Sequence, residues 1–406
     1  MTTSLPDRTS WVDSADGSAY DVDNLPYAVV VPAGEAPQVG VRIGDQILLA
    51  GAAARGLRPE WAPILDTGSL NALMDAGRST WSDVRAWLQD LVTDPARRED
   101  VRLLPVEGAE LLLPFVVADF VDYYASVDHA TNVGRIFRPD GDALLPNWRH
   151  LPVGYHGRSG SVVVSGTQVR RPVGQRKGPD DDLPTAGPSR RLDIEAELGF
   201  VVGRSVPWGD RVGVEEYEQT VFGVVGLNDW SARDIQAWEY VPLGPNLGKS
   251  FATTISAWVT PLDALEEARI DLPEQQPAVL PYLRDEGRTA LDIDIEVELN
   301  GTVVARPPYA TMYWSPAQML AHLAVNGASV RVGDLYGSGT VSGPEPEQRG
   351  SFLELSWGGR EPFVADGRER TFLEDGDEVV LRYSAPGRRG RVGLGEVRGT
   401  IVPATD

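Results

Sequence analysis

Glycine and proline interrupt this chain so often that many turns and short strands are expected. The 406 residues include 43 glycines and 31 prolines, which end regular elements and favour tight turns. Between these breaks, residues 192–202 and 291–299 alternate between apolar and polar side chains, as strands with one buried face do. Asn300-Gly301 is a strong signal for a hairpin turn. The pattern predicts a mostly β fold with some α-helix.

The N-terminal hundred or so residues predict a small mixed unit. Strands are expected at residues 27–31 and 38–50, with Gly44-Asp45 marking a turn between apolar runs in the second segment. Apolar residues recur at helical spacing over residues 82–92, so an amphipathic helix is expected there, ending before a proline. A second, larger unit follows, and we divide the chain into residues 1–115 and 116–406.

Local signals in the larger unit predict both strands and helices. Residues 161–166 indicate a short buried strand. Ser315, followed by proline and by Gln318, is a capping-box pattern that predicts a helix start. Asp229 follows the apolar run of residues 221–227 and precedes an expected helix. Functional residues are often placed just beyond strand ends, so this position is a candidate.

Charge and composition exclude several classes of function. Lys and Arg number 37 against 59 Asp and Glu, a formal net charge of -22, so nucleic acid is not expected as a partner. The absence of cysteine excludes disulfides and thiolate metal sites. No apolar run approaches membrane-spanning length, and residues 1–8 lack a secretory signal pattern. A cytoplasmic enzyme is therefore expected.

Four acidic residues in separate segments are candidate metal ligands: Asp122, Glu195, Glu197 and Asp229. Carboxylate oxygens suit hard divalent cations. Glu195 and Glu197, two apart on an expected strand, would share one face about 6–7 Å apart. The acids of residues 292–298 alternate in the same way, and on alternation alone both sets are most simply a solvated strand face. The spacing does not separate these interpretations.

His129 is the candidate general base, because imidazole titrates near neutral pH and can activate water. It lies seven residues after Asp122, and a helix spanning both would place them on one side, although a lone histidine is more often structural. Arg233, Gln236 and Tyr240 share one face of the expected helix. That stripe is either a solvated face or part of a substrate site.

Long motifs run in order over nearly the whole chain. They are Asp-Asn-Leu-Pro-Tyr at residues 23–27, Asp-Tyr-Tyr-Ala-Ser-Val-Asp-His-Ala-Thr-Asn-Val-Gly-Arg-Ile-Phe-Arg at residues 122–138, Pro-Asn-Trp-Arg-His-Leu-Pro-Val-Gly-Tyr-His-Gly-Arg at residues 146–158, Asn-Asp-Trp-Ser-Ala-Arg-Asp-Ile-Gln-Ala-Trp-Glu-Tyr-Val-Pro-Leu-Gly-Pro at residues 228–245, Leu-Gly-Lys-Ser-Phe-Ala-Thr-Thr at residues 247–254 and Gly-Thr-Val-Ser-Gly-Pro-Glu-Pro-Glu at residues 339–347. Together these segments resemble the fumarylacetoacetate hydrolase family.

The resemblance implies a small SH3-like N-terminal barrel and a C-terminal mixed β-roll domain that forms a homodimer. It also implies a small diketo acid as substrate. The expected reaction is hydrolysis of the carbon–carbon bond of 4-fumarylacetoacetate to fumarate and acetoacetate, the last step of tyrosine and phenylalanine breakdown. Calcium, magnesium or both are the implied cofactors.

The resemblance also assigns residues to roles. It implies calcium ligands at Asp122, Glu195, Glu197 and Asp229, with Lys249 and Thr253 sharing Asp229 around a magnesium-type ion. The implied catalytic residues are His129, Glu354 and Arg233. Substrate contacts are implied for Tyr124, Arg138, Tyr155, Gln236, Tyr240, Lys249 and Thr340. Asp128, beside the expected base, departs from the family pattern, and its charge is expected to raise the basicity of His129.

Two other functions are compatible with part of this pattern. A related diketo-acid hydrolase of the acylpyruvate type would share the acidic ligands, but not the whole set of Tyr155, Gln236 and Tyr240. A calcium-binding structural protein without turnover would need neither a base such as His129 nor a cation such as Lys249. Turnover of a panel of diketo acids separates these possibilities.

Overall fold

A computed structural model describes residues 9–178 and 180–405 of the chain. Within these ranges the protein is mostly β with some helix, as the sequence predicts. Residues 1–8, on which the expectation of no secretory signal rests, lie outside the described part. Within it, no helix is both long enough and apolar enough to cross a membrane.

The first sheet gathers five short antiparallel strands from the N-terminal part of the chain. The strands are Tyr27–Val31 (β1), Gln38–Ile43 (β2), Gln46–Leu49 (β3), Leu103–Pro105 (β4) and Glu110–Leu112 (β5), in the order β4-β3-β2-β1-β5. The turn predicted at Gly44-Asp45 within residues 38–50 is confirmed, because the chain reverses there between β2 and β3, with a φ of +59° at Gly44. Ala50, expected at the end of this strand segment, is instead the first residue of a helix.

The larger unit contains the remaining strands. In chain order they are Phe120–Tyr123 (β6), Gly154–His156 (β7), Val162–Val164 (β8), Val169–Arg170 (β9), Val173–Arg176 (β10), Thr185–Pro188 (β11), Leu192–Asp193 (β12), Ala196–Val202 (β13), Val221–Asp229 (β14), Ser231–Ala232 (β15), Thr253–Ile255 (β16), Thr260–Pro261 (β17), Arg269–Ile270 (β18), Ala290–Leu291 (β19), Asp294–Leu299 (β20), Thr302–Ala305 (β21), Leu335–Gly337 (β22), Phe363–Ala365 (β23), Arg368–Arg370 (β24), Glu378–Gly387 (β25) and Gly390–Val402 (β26).

Two larger sheets organise these strands. The central sheet has the order β7-β6-β22-β13-β14-β16-β8, and β17 also pairs with β14. A second sheet has the order β21-β20-β25-β26-β9. Strands far apart in sequence are neighbours in the central sheet, so their side chains meet only in the folded chain.

The α-helices are mostly short. They are Ala50–Leu57 (α1), Ala62–Leu65 (α2), Asn71–Asp75 (α3), Gly77–Thr93 (α4), Val127–Phe137 (α5), Tyr217–Thr220 (α6), Arg233–Glu239 (α7), Pro316–Ala324 (α8) and Phe352–Leu355 (α9). α4 contains the predicted helix and ends before Pro95. Ser315 and Gln318 make both hydrogen bonds of the predicted capping box, so the start of α8 is confirmed.

The N-terminal unit packs directly on the central sheet. The ring of Trp81 from α4 meets the ring of Phe222 from β14 edge-on, with centroids 5.2 Å apart, and Tyr27 of β1 lies 5.5 Å from the same ring. One buried apolar cluster contains residues from both units. The N-terminal unit therefore covers apolar side chains of the sheet that carries the acidic residues.

The two acidic alternations have opposite environments. β20 alternates between buried apolar residues and acids that are exposed, as at Asp294, or half-buried, as at Glu296 and Glu298, so its acidic face is reached by solvent. β13 is buried along its whole length, and Glu195 and Glu197 are 5% and 0% exposed. The surface interpretation of Glu195 and Glu197 is therefore wrong, because both faces of β13 are covered in the folded chain.

We predict that Gly134→Ala destabilises the protein. Gly134 lies in α5, and a Cβ there would come within 2.0 Å of the backbone oxygen of Ala143. Overpacking of this kind costs about 1–3 kcal/mol, which outweighs the gain of about 0.5–1 kcal/mol expected for replacing glycine in a helix. Denaturant unfolding measures the change in the free energy of unfolding.

Gly56→Ala is the matched control, because Gly56 also lies in a helix, α1. Around Gly56, no heavy atom of the described residues lies within 4 Å of an added Cβ. This variant should be stabilised by about 0.5–1 kcal/mol, since alanine loses less backbone conformational entropy than glycine on folding and meets no clash here. Equal effects of the two substitutions would contradict the packing argument.

Candidate active site

Four buried carboxylates converge in the central sheet. Asp122 lies on β6, Glu197 on β13 and Asp229 at the end of β14, while Glu195 immediately precedes β13. One ligand oxygen from each residue lies within 4.8 Å of the others, and all four residues are buried. The four acids singled out from the sequence are thus brought together.

A glycine leaves the space in which these acids meet. Gly337 of β22 pairs with Asp122 across the sheet. A Cβ on Gly337 would lie 2.9 Å from Asp122 Oδ1 and 2.9 Å from Glu197 Oε2. At this position β22, which lies between β6 and β13, has only the hydrogen atom of glycine. Any larger side chain would crowd the carboxylates.

Lys249 and two hydroxyl groups bind part of the cluster. The Lys249 ammonium is hydrogen-bonded to Glu195 Oε2 and lies 2.7 Å from Asp229 Oδ2. Tyr155 and Thr253 donate to the two oxygens of Asp229, at 2.7 and 2.8 Å. Lys249 and Thr253 therefore both contact Asp229 directly, while their sharing of a magnesium-type ion with it stays a prediction.

Two oxygens of the cluster remain available. Asp122 Oδ1 and Glu197 Oε1 are buried and have no hydrogen-bond partner among the described residues. Burial, followed by repulsion from Asp229, raises the pKa of Asp122 to about 8, and burial and Asp122 raise the pKa of Glu197 well above its usual range. An all-oxygen site with uncompensated carboxylates fits a hard divalent cation.

His129 and Glu354 form a buried pair beside the cluster. His129 Nδ1 lies 2.7 Å from Glu354 Oε2, and the two side chains are 3% and 0% exposed. Three further donors, Asn132, Ser342 and Ser351, bind the Glu354 carboxylate at 2.8–3.0 Å. Burial alone would raise the pKa of Glu354, but His129 and these hydrogen bonds hold it below its ordinary value.

This arrangement orients the imidazole as a base. An ionised Glu354 can only accept a hydrogen bond, so Nδ1 carries the proton and Nε2 keeps its lone pair. Ser126 fixes the start of α5 by accepting a hydrogen bond from the His129 backbone N–H at 3.2 Å. Asp122 lies on a strand rather than on the same helix as His129, and the chain bends between them.

Arg233 links the acidic cluster to a further carboxylate. Its Nε donates to Asp193 Oδ2 at 2.7 Å, and its Nη1 lies 2.8 Å from Glu195 Oε1 and 3.1 Å from Gln236 Oε1. Burial would raise the pKa of Glu195, but Lys249 and Arg233 reverse that effect and hold it below its usual range. Lys249 and Arg233 therefore favour the ionised form of Glu195.

The remaining residues expected to contact substrate differ in position. Tyr124 packs edge-on against His129, with ring centroids 5.3 Å apart. Arg138 follows α5, and its Nε, like Thr340 Oγ1, is buried without a hydrogen-bond partner in the described ranges. Tyr240 is 42% exposed and lies beside Phe137. The substrate contacts of these residues stay predictions.

Four residues of the site were not predicted from the sequence. Asn132, Ser342 and Ser351 bind Glu354, and Asp193 binds Arg233. One signal was available, because Ser351 followed by Glu354 is the serine-x-x-glutamate pattern that caps a helix. Ser351 indeed caps α9. The others come from separate segments and carry no local pattern.

A cavity of about 1190 Å³ lies elsewhere, between the first sheet and the C-terminal strands. Its lining includes Arg398, which already binds Glu378 at 2.7 Å and Glu396 at 3.1 Å. The positive charge of Arg398 is balanced by Glu378 and Glu396, whereas the four carboxylates of the acidic cluster carry like charges that cannot balance one another. The chemistry is therefore assigned to the acidic cluster rather than to this cavity.

The chain is similar to known proteins over nearly its whole length. Residues 23–114 match the family described as Fumarylacetoacetase N-terminal, and residues 119–402 match Fumarylacetoacetate (FAA) hydrolase C-terminal. Fumarylacetoacetase of Homo sapiens is 43% identical over 414 residues, covering 97% of this chain and 99% of that protein.

Two solved structures share the fold. A fumarylacetoacetate hydrolase from psychrophilic Exiguobacterium antarcticum has a TM-score of 0.56 at 16% identity, covering 94% of this chain and all of that one. Maleylpyruvate hydrolase from Sphingobium sp. SYK-6, in complex with manganese(II) ion and pyruvate, has a TM-score of 0.53 at 14% identity, with the same coverage.

We predict that a divalent ion stabilises this protein more at about pH 8 than at about pH 5.5. In the ion-free protein Asp122 keeps its proton up to a pKa of about 8, against 3.8 for the free side chain. Between these values the native state binds more protons than the unfolded chain, so its stability falls as the pH rises. A bound cation replaces those protons and removes this loss.

Thermal or denaturant unfolding with and without Ca²⁺ measures the effect. At one fixed Ca²⁺ concentration, set to about 100 times the dissociation constant at about pH 8, the gain should be about 2.7 kcal/mol at that pH. It should be smaller at about pH 5.5, where protons compete for the carboxylates and the apparent affinity is lower. Glu197→Gln, which removes one ligand charge, serves as the comparison and should reduce the gain. An ion-induced gain that is independent of pH would contradict the proton-linked site.

Proposed function

This chain belongs to the fumarylacetoacetate hydrolase family, and we propose that it hydrolyses 4-fumarylacetoacetate to fumarate and acetoacetate, the last step of tyrosine and phenylalanine breakdown. The observation that carries the proposal is the buried His129–Glu354 pair beside a cluster of uncompensated carboxylates. Near full-length similarity to fumarylacetoacetases supports the same substrate. The match of both halves of the chain to the family supports it further.

Calcium, magnesium or both are the proposed cofactors. Asp122, Glu195, Glu197 and Asp229 would hold the ion, with Lys249 and Thr253 at Asp229 beside it. The unpartnered oxygens of Asp122 and Glu197 support this assignment. When bound, the cation supplies Lewis-acid polarisation of the diketone oxygens.

The residues around the cluster suit recognition of a diketo acid. Arg138 is proposed to bind a substrate carboxylate, since its planar fork can hold two oxygens at once. Tyr124, Tyr155 and Tyr240 would supply hydroxyl donors and apolar walls. The buried, unpartnered Thr340 hydroxyl supports an additional polar contact.

His129 is proposed to accept a proton from water at Nε2. Glu354 keeps the ring in the required tautomer and stabilises the imidazolium that forms. The resulting hydroxide attacks the carbonyl carbon, and Lys249 and Gln236 stabilise the oxyanion. Arg233, held at Glu195, adds positive charge beside that oxyanion. Cleavage releases the enolate of acetoacetate, which is then protonated.

Three architectural and cellular features belong to the same proposal. The N-terminal unit would correspond to an SH3-like barrel and the larger unit to a β-roll domain, divided near residue 115. Two copies would associate as a homodimer, and the enzyme would act in the cytoplasm on a free small molecule. The excess of acidic residues supports the absence of a nucleic-acid partner.

Turnover of fumarylacetoacetate, followed by the loss of diketone absorbance, tests the function directly. We expect turnover with Ca²⁺ or Mg²⁺ and its loss after treatment with a chelator, because the carboxylates cannot polarise a carbonyl without a bound cation. A parallel panel of acylpyruvates tests the alternative of a related diketo-acid hydrolase. Faster cleavage of an acylpyruvate than of fumarylacetoacetate would favour that alternative.

We predict that His129→Ala loses turnover while the ion remains bound. His129 is outside the oxygen ligand set, so its removal should lower kcat by about 10²–10⁴-fold, the usual contribution of general base catalysis. Calcium affinity, measured by calorimetry, should change little. Asp128 lies next to His129, and Asp128→Asn, as a neighbouring control, should cause no comparable loss of kcat. Retained turnover in His129→Ala would remove His129 as the base.

A further inference from the structure

Asp193 is a buried carboxylate at the centre of the site that the proposed chemistry does not use. It is 0% exposed and ends β12, two residues before Glu195. Four groups donate to its two oxygens. Oδ1 accepts from the N–H groups of Ile194 and Phe352, both at 2.8 Å, and Oδ2 accepts from the Leu353 N–H at 3.0 Å and Arg233 Nε at 2.7 Å.

These hydrogen bonds reach the catalytic pair through α9. That helix spans only Phe352–Leu355, and its first two N–H groups bind Asp193. The next residue is Glu354, whose carboxylate lies 2.7 Å from His129 Nδ1. Because so short a helix has little stability of its own, its hydrogen bonds to Asp193 help to hold the Glu354 carboxylate where Asn132, Ser342 and Ser351 bind it.

The same carboxylate reaches the acidic cluster through Arg233. With Nε bound to Asp193, the guanidinium offers only Nη1 to Glu195, at 2.8 Å. Asp193 also balances part of the Arg233 charge. Without Asp193, the Arg233 guanidinium could form a bidentate pair with both oxygens of Glu195 and compete with a cation for them.

We propose that Asp193 is a positioning residue that holds Glu354 for His129 and restrains Arg233 from taking Glu195 away from the cation. This inference rests on the proposed function, and it adds a residue that does not touch substrate. It predicts two separable effects, one on catalysis through α9 and one on cation affinity through Arg233. Outer residues that orient ligands typically contribute 10–100-fold to affinity or activity.

Asp193→Asn is the direct test. The amide has nearly the same shape, but its NH₂ group faces two of the donors that now bind a carboxylate. We expect kcat to fall about 10–100-fold, KM to stay within about threefold, and the calcium dissociation constant to rise about tenfold. Steady-state kinetics and calorimetric titration with Ca²⁺ measure the three quantities.

Asp377→Asn is the matched control, because Asp377 is also a buried carboxylate bound by an arginine. It is 4% exposed, its Oδ2 binds the Arg370 guanidinium and accepts from the Glu374 N–H at 2.6 Å, and Asn300 donates to Oδ1 at 2.8 Å. The control should lower the melting temperature as Asp193→Asn does, but leave kcat and calcium affinity within about twofold of wild type.

A double-variant comparison separates the two effects and remains informative if Asp193→Asn folds poorly. Arg233→Gln removes the cation that acts on Glu195, and adding Asp193→Asn leaves no buried charge without a partner. We expect the added substitution to leave calcium affinity unchanged, since its route through Arg233 is gone, but to lower kcat further through α9. Non-additive effects of the two substitutions on calcium affinity would show that Asp193 acts on Glu195 through Arg233.

The outcomes are distinct. If Asp193→Asn loses stability like the control but keeps both kcat and calcium affinity within about threefold of wild type, Asp193 is only a structural tie and the inference is overturned. If wild-type protein binds Ca²⁺ but does not cleave fumarylacetoacetate, the proposed function fails. In that case the calcium affinities of the variants still decide the action of Asp193 on Glu195.

Discussion

The burial of four carboxylates in one small volume is the constraint on which the site depends. Two such charges about 5 Å apart repel by about 3 kcal/mol even at an effective dielectric constant of 20, and Asp122, Glu195, Glu197 and Asp229 are all buried together. Lys249 offsets part of this repulsion. Burial, together with the remaining repulsion, raises the pKa of Asp122 and Glu197, so the protein either holds protons there or binds a cation.

The central sheet makes this concentration of charge possible. Its strands hold the carboxylates on a rigid frame, and Gly337 leaves the room that they need. The N-terminal unit packs on β14 through Trp81 and Phe222, which anchors the strand that ends in Asp229. A site that its own charges would push apart is thus held by apolar packing around it.

A chain of polar contacts joins the two parts of the site. Glu354 and His129 form one part, and Glu195 with Arg233 belongs to the other. Asp193 binds the backbone that carries Glu354 and also the Arg233 side chain. Because Asp193 binds both parts, the base and the ligands share one network of polar contacts rather than two independent ones.

Local patterns in the sequence determined the character of the elements. Alternation and turn residues predicted a mostly β chain, the α4 helix and the capping box at Ser315, because these depend on neighbours within a few residues. Family motifs supplied the candidate ligands and His129. Only the tertiary structure decided that Glu195 and Glu197 are buried while the acids of β20 face solvent, since burial depends on strands distant in sequence. The contacts of Asp193 arise in the same way, and no spacing along the chain encodes them.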